Sequence, residues 1–452
     1  MRNKLVILSV IIVSRLLSIH YFGVTEESYV KSSNEWGVLV SILEKYHIFG
    51  FRIVDQEVLP TIFMPPLYPI FLYLIKSLTP NLSTYILTVQ LLQTLFSVIS
   101  TFYILKILST FFSKKISYIG TWIFILFPAN IYAVSQISSI TIQILLITLF
   151  SYYFIKIIKT EQNKYLIFFS ISAALLVFLR GEFFLFYLFS IFFILLKKKI
   201  KIVIASFLIT IFLVSPYLIR NYKIFGIITV TKSAGFNLFK GNNPRSTVEG
   251  SPMLNLEDIK RLSPKTYEKA IIIKKQDRYD LIIDNLYKED AIKFILDDPL
   301  RYIKLYFLKL FAFIFFDTNS TYPNYYNPFH IIPKIFISIT TVIGIILIIN
   351  KKSLLNFFSL YYFLNALIFS TFFILPRYSL SLLPIQIILS SILLEKIDKQ
   401  IKSKFSYTYN FFLKEKNKSL NKKIVRLQNI FYKSDHYQKL KIRELLIKNK
   451  LH

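Results

Sequence analysis

Residues 202–219 read IVIASFLITIFLVSPYLI, and residues 354–375 read LLNFFSLYYFLNALIFSTFFIL. Neither stretch holds a charged side chain. At about 1.5 Å of rise per residue, each is long enough to cross a hydrocarbon core of about 30 Å. No water reaches a backbone N–H or C=O inside lipid, so runs of this kind are helices with all their hydrogen bonds internal. The whole chain follows suit: 54% of its 452 residues are hydrophobic and 17% aromatic, far more than one aqueous core uses. A soluble globular domain is excluded.

Further apolar runs extend the count to about ten transmembrane helices, at 4–22, 85–105, 117–136, 139–155, 165–180, 182–196, 202–219, 332–350, 354–375 and 380–395. Met1, Arg2, Asn3 and Lys4 precede the first run, which has no small-residue cleavage site and reads as a retained helix. With the N-terminus inside, alternate short loops carry the lysines: Lys106, Lys114 and Lys115; Lys156, Lys159 and Lys164; Lys197 to Lys199 and Lys201; Lys351 and Lys352. That is the positive-inside pattern of a multi-pass cell-membrane protein. Two long segments, 23–84 and 220–331, then fall on the outer side. The expected organisation is a membrane domain over 1–395 and a basic cytoplasmic tail over 396–452, where 16 Lys/Arg face 4 Asp/Glu.

Two stretches are apolar but short or interrupted. Pro66–Leu78 holds two prolines and Lys76, and Tyr302–Phe316 holds Lys304 and Lys309 among dense aromatics. Both read as amphipathic helices lying on the outer face, with their lysines snorkelling to the headgroups. Counting either alone as a span would invert the lysine pattern. The net charge of +30 lies largely in inner loops and tail, where anionic lipid attracts it, so nucleic acid is not an expected partner. With no cysteine, disulfides and thiolate metal sites are excluded.

Ionisable groups near the outer ends of the spans carry the functional reading. The first outer segment holds Glu26, Glu27, Glu35, Glu44, Asp55 and Glu57. Arg180, Arg220 and Arg377 stand at other outer helix ends, and Arg15 lies within the first helix. A carboxylate facing guanidiniums suits group transfer from a phosphate-linked lipid: the acid takes a proton from an attacking hydroxyl, and the arginines hold the departing phosphate. A snorkelling arginine and a solvated glutamate are the plain alternatives.

Several segments in order resemble one family. Asn34-Glu35-Trp36-Gly37 precedes a helix ending Ile48-Phe49-Gly50-Phe51, and Met64-Pro65-Pro66-Leu67-Tyr68-Pro69 follows. Later come Arg180-Gly181-Glu182, Pro216 to Gly226 around Arg220-Asn221, Gly235 to Pro244 with Asn237, Asn242 and Asn243, and Pro376-Arg377-Tyr378. Together these are similar to the polyprenyl-phosphate-sugar-dependent glycosyltransferases of the C-type (GT-C) fold, the superfamily of protein O-mannosyltransferases and the aminoarabinose transferase of lipid A. The resemblance runs with gaps from about residue 15 to 395 and leaves out the tail.

It implies an all-α membrane enzyme that moves a sugar from a polyprenyl-phosphate donor to an acceptor hydroxyl at the extracytoplasmic face. Glu35 would be the catalytic base. Arg180, Arg220 and Arg377 would bind the donor phosphate, and Tyr68, Glu182, Asn237, Asn242 and Asn243 the sugar or acceptor. The expected partners are the lipid-linked sugar (undecaprenyl in a bacterium), membrane lipids, and a glycan, lipid or protein acceptor. No cofactor is assigned and no metal ligands are named; a weakly held catalytic Mg²⁺ or Mn²⁺ stays open on oxygen ligands, with His47 an outside candidate ligand. The chain departs from the family in having a lone Glu35 where an Asp or an acid pair is common, Met64 before Pro-Pro, Gly181 for a usual Pro, and Ser138-Ser139-Ile140-Thr141 where many members carry an acid. A polysaccharide polymerase, a transporter of lipid-linked glycans and a non-catalytic member stay open as alternatives.

Overall fold

The computed structural model describes residues 2–31, 35–160, 162–252, 256–322, 324–325, 327–349 and 353–403, with residues 423, 425–426 and 444 beyond them. It is an all-α polytopic membrane protein. The first helix, α1 (Arg2–Phe22), leads to two short ones, α2 (Glu26–Lys31) and α3 (Glu35–Tyr46). A hairpin not anticipated from sequence follows, β1 (Gly50–Val54) against β2 (Glu57–Pro60), antiparallel with Val54 opposite Glu57. Asp55 and Gln56 make its two-residue turn, both at positive φ (50° and 69°), the twist that matches a right-handed strand pair.

Next come α4 (Leu67–Leu78), α5 (Leu82–Phe111), α6 (Lys114–Leu126), α7 (Pro128–Ser135), α8 (Ile140–Thr160), α9 (Asn163–Leu179), α10 (Phe183–Leu196) and α11 (Ile200–Phe225). The long segment after them is largely helical: α12 (Ala234–Gly241), α13 (Leu256–Leu262), α14 (Pro264–Ile272), α15 (Tyr279–Asp297) and α16 (Pro299–Ile314). The chain returns to long apolar helices with α17 (Pro328–Ile348) and α18 (Leu355–Ser370), then a five-residue helix α19 (Pro376–Leu380) and a helix from 383. Each expected span overlaps helix, although 371–375 of the span expected at 354–375 is not helical and the spans expected at 117–136 and 380–395 are interrupted. Among the described residues five are long and apolar enough to cross alone, six if the bent pair α6–α7 is one span, and α9, α10 and α18 are shorter. The chain divides into two compact units, 1–393 and 394–452; in the second, residues 394–403 are helical, with Lys399–Glu395 and Lys402–Asp398 pairs one turn apart.

Burial sorts the spans. The most apolar window of α8 is 83% buried, so this helix is the centre of the bundle, packed on α5 and α9; that of α11 is only 17% buried, and Leu208 and Phe212 turn outward to lipid. Lipid tails are as apolar as leucine, so close packing and buried hydroxyls hold such helices together. Phe154 of α8 stacks on Phe357 of α18 at 4.1 Å. Ser206 of α11 meets Ser170 of α9 at 3.0 Å and Tyr187 of α10 at 2.9 Å. Gly344 lets α17 approach the backbone of Leu389 so closely that a Cβ would sit 2.1 Å from its carbonyl oxygen.

One span is broken. The axes of α6 and α7 differ by 46°, because Pro128 has no N–H to continue the ladder. The carbonyls this frees are met by side chains: Asn130 Nδ2 donates to Phe124 O at 3.2 Å, and Arg15 Nη1 to Ile125 O at 2.6 Å. Arg15 is fully buried, also donates to Ser97 and Ser14, and acts as the cap of this break.

The expectation for α16 needs correction. Lys304 is exposed, but Lys309 does not snorkel: it is 0% exposed and donates to Gly241 O at 2.8 Å and Asn242 Oδ1 at 3.0 Å. The buried positions Tyr302, Leu305, Lys309 and Ala312 form one helical face, and that face packs inward on α18.

Candidate functional site

Two of the three arginines converge. Arg180 follows the last residue of α9, and its guanidinium lies over the Tyr378 ring at 4.9 Å. Arg377, exposed on α19, lies 6.0 Å from the same ring. Glu182 pairs with Arg180 at 3.2 Å. Burial alone would lower the Arg180 pKa, but Glu182 and Tyr378 outweigh it and hold the group above its ordinary value. The intervening Gly181 meets Thr231, whose methyl would lie 2.6 Å from an added Cβ, so a small residue is needed where the segment after α11 closes on this corner. The two guanidiniums are planar, fixed-charge groups of the kind that donates to a phosphate bidentately, and Arg180 is at the same time engaged by Glu182.

Arg220 lies elsewhere. Near the end of α11 it donates to Thr61 O at 3.0 Å, Phe49 O at 3.3 Å and Asn221 Oδ1 at 2.7 Å, and it is ringed by Phe49, Tyr217 and Phe225. Its bonds go to the backbone on both sides of the β1–β2 hairpin. The same loop is gripped from the other side by α15: Asp280 Oδ2 accepts from Thr61 Oγ1 at 2.5 Å and from Ile62 N at 3.2 Å, while Arg52 stacks on Tyr279 at 3.6 Å. Arg220 therefore positions the segment that leads into Met64–Pro69.

Glu35 opens α3, but its side chain lies outside the described residues. Its neighbours are described. Trp36 packs edge-on against Tyr68 at 5.1 Å, and Gly37 abuts the Tyr29 hydroxyl. Tyr68 is 1% exposed, and among the described residues its hydroxyl has no hydrogen-bond partner. The N-terminus of α3 thus sits over a buried tyrosine with an open donor and acceptor. His47 is exposed at the end of α3. Among the described residues no three His, Asp or Glu side chains group to hold a metal ion.

The asparagines divide. Asn237 is half-buried on α12. The amides of Asn242 and Asn243, expected to read sugar hydroxyls, are instead engaged within the protein. Asn242 donates to Leu238 O and Thr371 O at 2.9 Å each and accepts from Lys309. Asn243 donates to Phe239 O and Ser251 Oγ and accepts from Arg245 N. Asn242 thereby ties α12 to Thr371, before α19, and Asn243 braces the turn that follows α12.

Two further groups were not singled out from sequence. Glu249 is 8% exposed and accepts from Ser320 Oγ, Thr321 N (2.8 Å) and Thr321 Oγ1 (2.7 Å). Burial, with Glu249 nearby, raises the pKa of Asp317. Lys334 of α17 donates to Ser379 Oγ of α19 at 2.7 Å. A lysine so soon inside an apolar run is the signal that could have found it.

Residues 34–246 match the sequence model of the Alg9-like mannosyltransferase family, which is of the polyprenyl-phosphate-sugar-dependent GT-C type. The match takes in Glu35, Tyr68, Arg180, Arg220 and the asparagines, and ends before Arg377. No curated protein matches the chain.

Proposed function

We propose that this chain is a mannosyltransferase-like enzyme that takes a hexose from a polyprenyl-phosphate sugar and transfers it to an acceptor hydroxyl at the extracytoplasmic face of a cell membrane. The single observation that carries the reading is the meeting of Arg180 and Arg377 at Tyr378. These residues come from distant parts of the chain, and a shared anionic ligand accounts for two cations at one corner, with one carboxylate (Glu182) set against their two charges, better than independent snorkelling does. The family match supports a lipid-linked sugar donor.

The reaction needs three things. The acceptor oxygen attacks the anomeric carbon as the bond from that carbon to the phosphate oxygen breaks. The phosphate leaves with the electron pair, and Arg180 and Arg377 neutralise the charge it gains. Glu35 takes the hydroxyl proton. Tyr68, buried beneath Trp36, supports the start of α3 that carries Glu35, and Glu182 holds Arg180 in place. Arg220 acts through the backbone it binds.

The test uses purified protein in lipid nanodiscs with polyprenyl-phosphate mannose and measures released polyprenyl phosphate. Glu35→Gln keeps the size and removes the base, so turnover falls by roughly 10²–10⁴-fold with folding intact. If that variant is fully active while Glu26→Gln or Glu27→Gln is dead, another acid is the base. Lysine keeps charge but loses the two-pronged donor, so Arg180→Lys and Arg377→Lys raise the donor KM about tenfold. Parental kinetics in both would remove the phosphate clamp.

A further inference from the structure

At the end of α14 two consecutive isoleucines face outward: Ile271 is 50% exposed and Ile272 74%. Thr266 and Ile273 are buried, so this end of the helix has its inner face already, and the two isoleucines are left on the other side. From residue 260 to 278 the chain holds seven Lys/Arg against two acids, Glu268 and Asp277. Lys265, Lys269, Lys274 and Lys275 are all exposed around the isoleucines, and Lys275 pairs with Asp55 of the hairpin turn.

The neighbouring elements give this patch a height. α11 has 26 residues, so it is about 39 Å long against a hydrocarbon core of about 30 Å, and its last turn lies in the headgroup layer. Its outward residues agree. Ile219 is exposed and apolar, and the exposed Tyr222 and Lys223 after it are the aromatic and the cation that a membrane interface favours. Arg278 packs on the end of this helix, where a Cβ on Gly226 would lie 3.1 Å from its Nη2. The chain from Arg278 back to Ile272 reaches no further than about 20 Å. The end of α14 is thus held beside the point where a lipid-facing helix leaves the membrane. Arg52 Nη1 donates to Lys274 O at 3.0 Å and ties the β1–β2 hairpin to the same turn. Ile53, next to Arg52, and Ile228, just after Gly226, are exposed as well. Outward isoleucines therefore sit on three elements that touch one another.

We infer that the end of α14 and the turn after it dock on anionic phospholipid headgroups of the leaflet where α11 ends. Ile271 and Ile272 leave water at the headgroup boundary, and the lysines around them reach the phosphates. The headgroups are hydrated, so the polar residues of the turn keep their water while the two isoleucines lose theirs. A solvated face accounts for the lysines but not for adjacent isoleucines at their centre. Because the hairpin is tied to the same turn, this contact also fixes the height of the loop that leads to Met64–Pro69.

The test is a fluorophore sensitive to its surroundings on Ile272→Cys, the only thiol in an otherwise cysteine-free chain. The full chain is placed in nanodiscs of phosphatidylcholine, with or without phosphatidylglycerol. With phosphatidylglycerol, a lipid carrying a nitroxide near its headgroup quenches the emission by about half, and aqueous acrylamide quenches it little. Adding Lys269→Glu and Lys274→Glu cuts the lipid quenching about twofold or more in those discs. Strong acrylamide quenching without lipid quenching overturns the docking. Protection from both quenchers means that protein covers the patch, and overturns it too. Equal lipid quenching with and without phosphatidylglycerol, or quenching that the charge reversal leaves unchanged, overturns the anionic headgroup as the partner. Should the Ile272 variant fail to fold, Ile271→Cys is read by the same outcomes. None of these signals depends on donor turnover, so the transferase reading stands or falls separately.

Discussion

Lys309 donates to Gly241 O and Asn242 Oδ1 from a fully buried position on α16, a helix read as lying outside the spans, and burial pushes its pKa down to about 7 from 10.5. Between those two values the unfolded chain holds a proton that the folded chain does not. Stability therefore climbs as pH rises from about 7 toward 10, and the cost of charging the buried amine is fully present below that window. We expect the melting temperature of the parent protein to rise over this range. Lys309→Met should flatten the slope and lower the melting temperature at pH 9, since Gly241 O and Asn242 Oδ1 lose their donor. A slope unchanged in the variant would mean another group titrates. Helical spacing puts Tyr302, Leu305, Lys309 and Ala312 on one face, but the sequence does not say what lies against it. The partner that accepts the ammonium is the C-terminal end of α12, far away in the chain. The engagement of the Asn242 and Asn243 amides within the protein is likewise invisible in the sequence, because an exposed turn and a buried hydrogen-bonded junction can have the same local sequence.

At the scale of elements, the α6–α7 break and Arg15 belong together. Pro128 announces a kink, and Arg15 announces a buried charge, but only packing brings the guanidinium to the carbonyl of Ile125. Arg15→Met leaves that carbonyl unsatisfied, which we expect to cost about 1–3 kcal/mol and to lower the melting temperature without raising the donor KM. A raised donor KM at parental stability would instead give Arg15 a place in the site. The β1–β2 hairpin was not legible. Residues 50–60 carry its turn at Asp55-Gln56, without the glycine that marks such turns most plainly, and the hairpin is held by Arg220 and Asp280 from other elements, with Arg52 of β1 reaching Asp280. The two elements that grip this loop, α11 and α15, make the path from the 220–331 segment to Met64–Pro69 a short one.

For the whole molecule, the lysine alternation carries the orientation proposal: N-terminus inside, and 23–84 and 220–331 outside. The chain has no cysteine, so single introduced thiols report cleanly. Gln276 and Lys197 are both exposed and belong to segments expected on opposite sides. In intact cells an impermeant thiol reagent should label Gln276→Cys and leave Lys197→Cys untouched. The reverse pattern would invert the topology and move the arginine pair to the inner face.

The membrane class, the helical architecture and the approximate ends of the spans were determined by sequence alone. Hydropathy is a property of each segment, and the bilayer imposes the same length and the same internal hydrogen bonding on every one. The ordered motifs around Glu35, Arg180 and Arg377 likewise pointed to glycosyl transfer before any contact was known. Which of those residues meet was decided only by the tertiary structure. Arg180, Arg220 and Arg377 look alike as helix-end arginines. Yet two share the Tyr378 ring and the third holds a backbone loop, because a guanidinium's role depends on which acceptors and rings packing brings within reach, and those lie on helices distant in the chain.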